Sequence, residues 1–148
     1  MGKLTDLLEL ARGRTEGLPF AGALTPAEAW EIWQLAPGAQ LVDIRTRAEL
    51  DWVGHIPGAV EIEWAFYPAD LPNPNFMSRL KQQVARDVLV MFICRSGHRS
   101  AEAAAQAAEA GYTASYHVLE GFEGELDANG HRNSSGGWRY AGLPWVQD

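Results

Sequence analysis

The sequence predicts an α/β domain of three layers, with a mostly parallel central sheet of about five strands and helices on both faces. Short apolar runs alternate with capped or amphipathic helical segments, the order that builds parallel strands joined by crossover helices. One run, Val88-Leu89-Val90-Met91-Phe92-Ile93, is apolar at every position, which suits a strand covered on both sides. The 148 residues, 47% of them hydrophobic, suffice for a core without metal or disulfide staples. No internal repeat, linker or second core is visible. Residues 1–148 therefore read as one domain, with 1–19 a helical extension on a core of about 20–148.

Taken in order, Leu4, Leu7, Leu8 and Ala11 recur at helical spacing, and Gly13, Gly17 and Pro19 then break the chain. Thr25-Pro26-Ala27-Glu28 is a helix start: the threonine caps, the proline suits the first turn and the glutamate closes a capping box. This helix runs to about Ala36, with Trp30 and Trp33 on one face to pack against the sheet. Residues 41–44 form a short strand. Thr46-Arg47-Ala48-Glu49 repeats the capping box and opens a helix through Trp52. A turn at His55-Ile56-Pro57-Gly58 leads to a strand over 59–62. Residues 64–75, with three prolines and two asparagines, read as an irregular excursion. A helix over 76–84, the strand at 88–93 and an alanine-rich helix that follows Ser100 and stops at Gly111 come next. Residues 115–119 form the last strand, and 124–137 a surface loop rich in Gly, Asn and Ser. Trp138 and Trp145 pin the tail to the body.

A formal net charge of −7 argues against nucleic acid and anionic membranes as partners, since both select basic patches. The lone cysteine allows no internal disulfide, charges interrupt the N-terminus too early for a signal peptide, and no window approaches the ~20 apolar residues of a membrane span. Together these absences predict a cytoplasmic protein. His55, His98, His117 and His131 show no metal-ligand spacing, so neither a zinc site nor any other metal or cofactor is expected. Gly121-Phe122-Glu123-Gly124 lacks a dinucleotide pattern and reads as a turn.

The chemistry concentrates in Cys94-Arg95-Ser96-Gly97-His98-Arg99-Ser100, between the 88–93 strand and the following helix. In such sheets ligands bind beyond the carboxyl ends of the strands. The N–H groups from Arg95 to Ser100 can curve into an anion-binding nest, Gly97 tolerates positive φ, and Ser100 can cap the helix. Arg95, His98 and Arg99 favour a thiolate over a thiol. A lone cysteine is otherwise a small buried hydrophobe, so the reactive reading requires a sulfur that solvent reaches.

The loop resembles the active-site loop of the rhodanese family of sulfurtransferases. Leu41-Val42-Asp43-Ile44-Arg45 with Glu49, Gly54-His55-Ile56-Pro57-Gly58-Ala59, Tyr116-His117-Val118-Leu119-Glu120-Gly121 and Gly142-Leu143-Pro144 match further segments in register, so the likeness covers about residues 20–148. The segments 64–75 and 124–137 depart from the pattern. The resemblance implies a rhodanese-like fold and a ping-pong reaction. Cys94 takes the outer sulfur of an anionic donor such as thiosulfate, and cyanide or a thiol then removes it from the persulfide. It also implies that Arg95, Ser96, Gly97, His98, Arg99 and Ser100 bind the donor, Arg95 and Arg99 by forked hydrogen bonds to its oxygens. His98 either tunes donor choice or faces solvent inertly.

Loop length separates the rivals. Cysteine phosphatases on similar folds use Cys-x5-Arg, whereas Arg99 makes Cys-x4-Arg here, a loop that suits a sulfur atom better than a phosphate. A low-turnover persulfide carrier, loaded and emptied by protein partners, is the second reading; phosphatase or arsenate-reductase chemistry is the third. Asp43 either orients a loop arginine or His55, or satisfies local backbone donors. Arg45 and Glu49, four apart, have the spacing of an ion pair.

Overall fold

The computed structural model describes residues 2–147. Its elements are α1 (Lys3–Gly13), β1 (Gly22–Leu24), α2 (Pro26–Leu35), β2 (Gln40–Asp43), α3 (Arg47–Val53), β3 (Val60–Glu61), β4 (Ala65–Phe66), β5 (Leu71–Pro72), α4 (Phe76–Gln83), β6 (Val90–Ile93), α5 (His98–Glu109) and β7 (Ser115–Val118). The main sheet has five strands in the order β1-β7-β6-β2-β3, and every pair in it is parallel. This is the expected three-layer α/β architecture.

The two-sided apolarity of the central strands has a direct cause. Successive side chains of a strand point to opposite faces. Thus Leu41 and Met91 enter one core with α1 and α2, while Val42 and Phe92 enter the other with α4 and α5. The helix starts form as their sequences dictate: Thr25 and Thr46 each close a capping box, with Glu28 and Glu49. Trp30 and Trp33 meet edge to face, 6.0 Å between centroids, and lie against the α1/α2-side core. Trp138 is fully buried and donates its indole N–H to the Pro144 carbonyl at 2.8 Å, fastening the tail.

One element is not anticipated by the sequence, and two expectations are corrected. Residues 22–24 form an edge strand that no apolar periodicity announces. Gly22 is required there because a Cβ would lie 2.7 Å from the Tyr116 ring. The 64–75 excursion is not irregular throughout: Ala65–Phe66 and Leu71–Pro72 pair antiparallel as a small hairpin. Finally, α5 starts at His98 with Gly97 as its N-cap, so Ser100 lies within the first turn and caps nothing.

Candidate active site

Cys94 follows β6, which lies between β7 and β2, so the thiol stands at the carboxyl edge of the sheet. The loop turns because Gly97 adopts φ +109°, a left-handed conformation that costs glycine little. It is held from outside by the 120–123 turn: Phe122 and Glu123 donate their N–H groups to the Cys94 and Arg95 carbonyls, at 2.7 and 2.9 Å. The approach is close enough that a Cβ on Gly121 would lie 2.5 Å from both carbonyl oxygens.

The sulfur accepts the Gly97 N–H at 3.2 Å and the Ser100 N–H at 3.3 Å, and the Ser100 hydroxyl lies 3.3 Å away. Among the described residues, these are the two N–H groups of the loop that reach it, fewer than the six available in sequence. Cys94 is 1% exposed and packs at the end of the α4/α5-side core, so it is largely buried and meets a cleft only as part of its lining. That cleft, of about 400 Å³, is lined by Thr46, Glu49, Tyr67, Pro68 and Asp70 together with Cys94, Arg95, Ser96, His98 and Arg99.

The charges are arranged differently from the sequence expectation. Arg99 gives both terminal nitrogens to Glu49, at 3.0 Å each. Burial alone would raise the Glu49 carboxyl, but the Arg99 bonds and the Thr46 N–H outweigh it and hold the carboxyl below its ordinary value. Arg45 therefore does not pair with Glu49. It is fully buried, forks onto Asp43 at 2.7–3.2 Å, donates to the Gly54 carbonyl and stacks 3.9 Å from the Phe122 ring. Asp43 is thereby committed to Arg45, including its N–H, and orients neither a loop arginine nor His55. His55 lies 3.7 Å from Glu61 and bridges the backbone of Val146; like Asp43, it stands outside the lining of the thiol cleft. The His98 ring is exposed and meets Glu125 at 2.9 Å, which brings the 124–137 loop to the cleft margin.

Sequence reasoning passed over His117. Its Nδ1 lies 2.9 Å from the Ser100 hydroxyl, so Cys94, Ser100 and His117 form a continuous chain of polar contacts. Burial, and then the charge of His98, lower its pKa from 6.5 to about 4. The available signal was an imidazole inside the apolar run Tyr116-Val118-Leu119, because a buried ring nitrogen needs a partner. Among the described residues no group of three His, Cys, Asp or Glu side chains is placed to hold a metal ion.

A family model, the rhodanese-like domain, matches residues 25–125, well over half of the chain. The chain belongs to the rhodanese-like family. This rhodanese-like protein superposes on the crystal structure of Rv0390 from M. tuberculosis with a TM-score of 0.81 and 46% identity, over 87% of this chain and 99% of that one. An uncharacterised protein of Rickettsia prowazekii is 33% identical over 80% of this chain and 91% of its own length. The polysulfide-sulfur transferase homodimer of Wolinella succinogenes shares the rhodanese-like fold at a TM-score of 0.60 and 19% identity, over 97% of this chain and 87% of its own. Among the described residues no helix is long and apolar enough to cross a membrane.

Proposed function

We propose that this rhodanese-like protein is a sulfurtransferase that carries a sulfane sulfur on Cys94. The observation that carries the reading is the Cys94 sulfur itself, in the lining of a cleft, with two N–H groups directed at it and the Ser100 hydroxyl 3.3 Å away. Donors so fixed favour an anionic sulfur without any reorganisation during reaction. The Cys94 thiolate attacks the outer sulfur of the donor, a new S–S bond forms, and the old S–S bond breaks with its electron pair leaving on the donor remnant. With thiosulfate that remnant is sulfite. A nucleophilic acceptor, cyanide or a thiolate, then attacks the outer sulfur of the persulfide and returns Cys94 to its thiolate. No separate base is needed for an ionised thiol. A cytoplasmic setting, which keeps a lone thiol reduced, belongs to this reading.

Intact mass after incubation with thiosulfate tests it: one added sulfur atom on wild type and none on Cys94→Ser is the expected result. Thiosulfate:cyanide turnover retained by Cys94→Ser overturns it.

A second reading, a persulfide carrier served by bulky or protein-borne partners, draws on the cleft. Its volume of about 400 Å³ is several times that of a small inorganic anion, and Tyr67 on its wall is 70% exposed. Slow thiosulfate turnover with fast loading from a cysteine desulfurase favours this reading. Aryl phosphate hydrolysis dependent on Cys94 would instead revive phosphatase chemistry, which the short loop opposes.

A further inference from the structure

The Ser100 hydroxyl sits between two groups, 3.3 Å from Cys94 Sγ and 2.9 Å from His117 Nδ1. It carries one proton, and the direction of that proton decides what the sulfur meets. If His117 Nδ1 accepts it, Ser100 turns lone pairs toward the sulfur and repels a thiolate. If Nδ1 instead bears hydrogen and donates to Ser100 Oγ, the hydroxyl proton is left with two destinations, Cys94 Sγ or the Gly97 carbonyl at 3.3 Å. A charged acceptor outcompetes a neutral one of similar geometry.

We propose that His117 is a positioning residue: as the neutral Nδ1–H tautomer it turns the Ser100 hydroxyl toward Cys94, completing a three-donor set with the Gly97 and Ser100 N–H groups. The ring is placed for this by the sheet. His117 pairs in register with Phe92, two residues before Cys94, and is 8% exposed. Phe20 meets the ring edge-on at 6.0 Å, and Gly97 packs against it, a Cβ there lying in ordinary contact 3.5 Å from Cε1. Burial keeps the imidazole neutral near pH 7, so one N–H is available and its location is the only variable.

The inference rests on Cys94 being the reacting thiolate, but its test reads the hydroxyl contact. It can therefore fail while Cys94→Ser still abolishes transfer. Two-bond ¹⁵N–¹H correlation spectra of the intact protein, at a pH where iodoacetamide reactivity shows Cys94 ionised, should find the His117 proton on Nδ1. A proton on Nε2 overturns the proposal. The iodoacetamide rate of Cys94 at neutral pH should fall about three- to tenfold in His117→Leu, as expected when an oriented bond to a charged group is lost. It should recover in His117→Asn, whose amide N–H occupies the Nδ1 position. In a Ser100→Ala background, His117→Leu should have no further effect. A wild-type rate in folded His117→Leu, or an undiminished effect without the Ser100 hydroxyl, overturns the proposal. If His117→Leu does not fold, the wild-type tautomer decides.

Discussion

Arg99 and Glu49, fifty positions apart, form a forked ion pair on the wall of the thiol cleft, with both N···O distances at 3.0 Å. The pair divides the two loop arginines by role. Arg99 is already neutralised, whereas among the described residues the Arg95 guanidinium makes no hydrogen bond or ion pair. Asp70 adds a further carboxylate to the lining.

Removing Arg95 should therefore weaken use of an anionic donor more than removing Arg99. Arg95→Ala is expected to raise the KM for thiosulfate about tenfold, the scale of one lost charge-assisted contact, with a smaller change in kcat. Steady-state kinetics of both alanine variants check this, and an equal or larger KM effect in Arg99→Ala would contradict the division of roles.

Glu49 also contributes to stability. Glu49→Gln keeps an acceptor for the Thr46 cap but removes the charge facing Arg99, at an expected cost of about 1–3 kcal/mol near neutral pH. Because the folded carboxyl titrates below its ordinary value of 4.5, its contribution is complete above that pH and is lost as pH falls beneath it. Urea midpoints of the two proteins should thus converge in acid. A constant gap down to pH 3 would rule out this linkage.

His117 has a separate acid signature. Its folded pKa of about 4 lies below the ordinary 6.5, so the unfolded chain binds the extra proton first and stability declines as pH drops from 6.5 toward 4. The full loss is about 3 kcal/mol, and His117→Asn should lack it. Urea unfolding across that window measures the difference; parallel curves for the two proteins would count against a buried neutral imidazole.

The Asp43–Arg45 pair should be structural. Asp43→Ala strands a fully buried guanidinium and is expected to cost about 3–5 kcal/mol, whereas the double change Asp43→Leu with Arg45→Met should recover most of that loss. Chemical denaturation of the wild type and the two variants provides the check. A mild effect in Asp43→Ala would mean that the Gly54 carbonyl and Phe122 ring suffice to hold the charge.

How much of this was legible in the chain depends on how local each cause is. The two capping boxes, the apolar run into β6, and the Cys-x4-Arg loop with its permissive Gly97 involve neighbours within a few positions, so residue order alone determined them and, with them, the α/β class. Strand β1 left no trace because three residues, Gly22-Ala23-Leu24, are too few to carry a period, and it exists only by pairing with β7. The choice of partners was also beyond local reading. Arg45 turned to Asp43, Glu49 to Arg99, and His117 to Ser100 because the folded sheet set their distances and excluded the water that would otherwise have satisfied them. Local hydrogen bonding and side-chain periodicity are written in sequence; which charges meet across a core is decided by the packing that buries them.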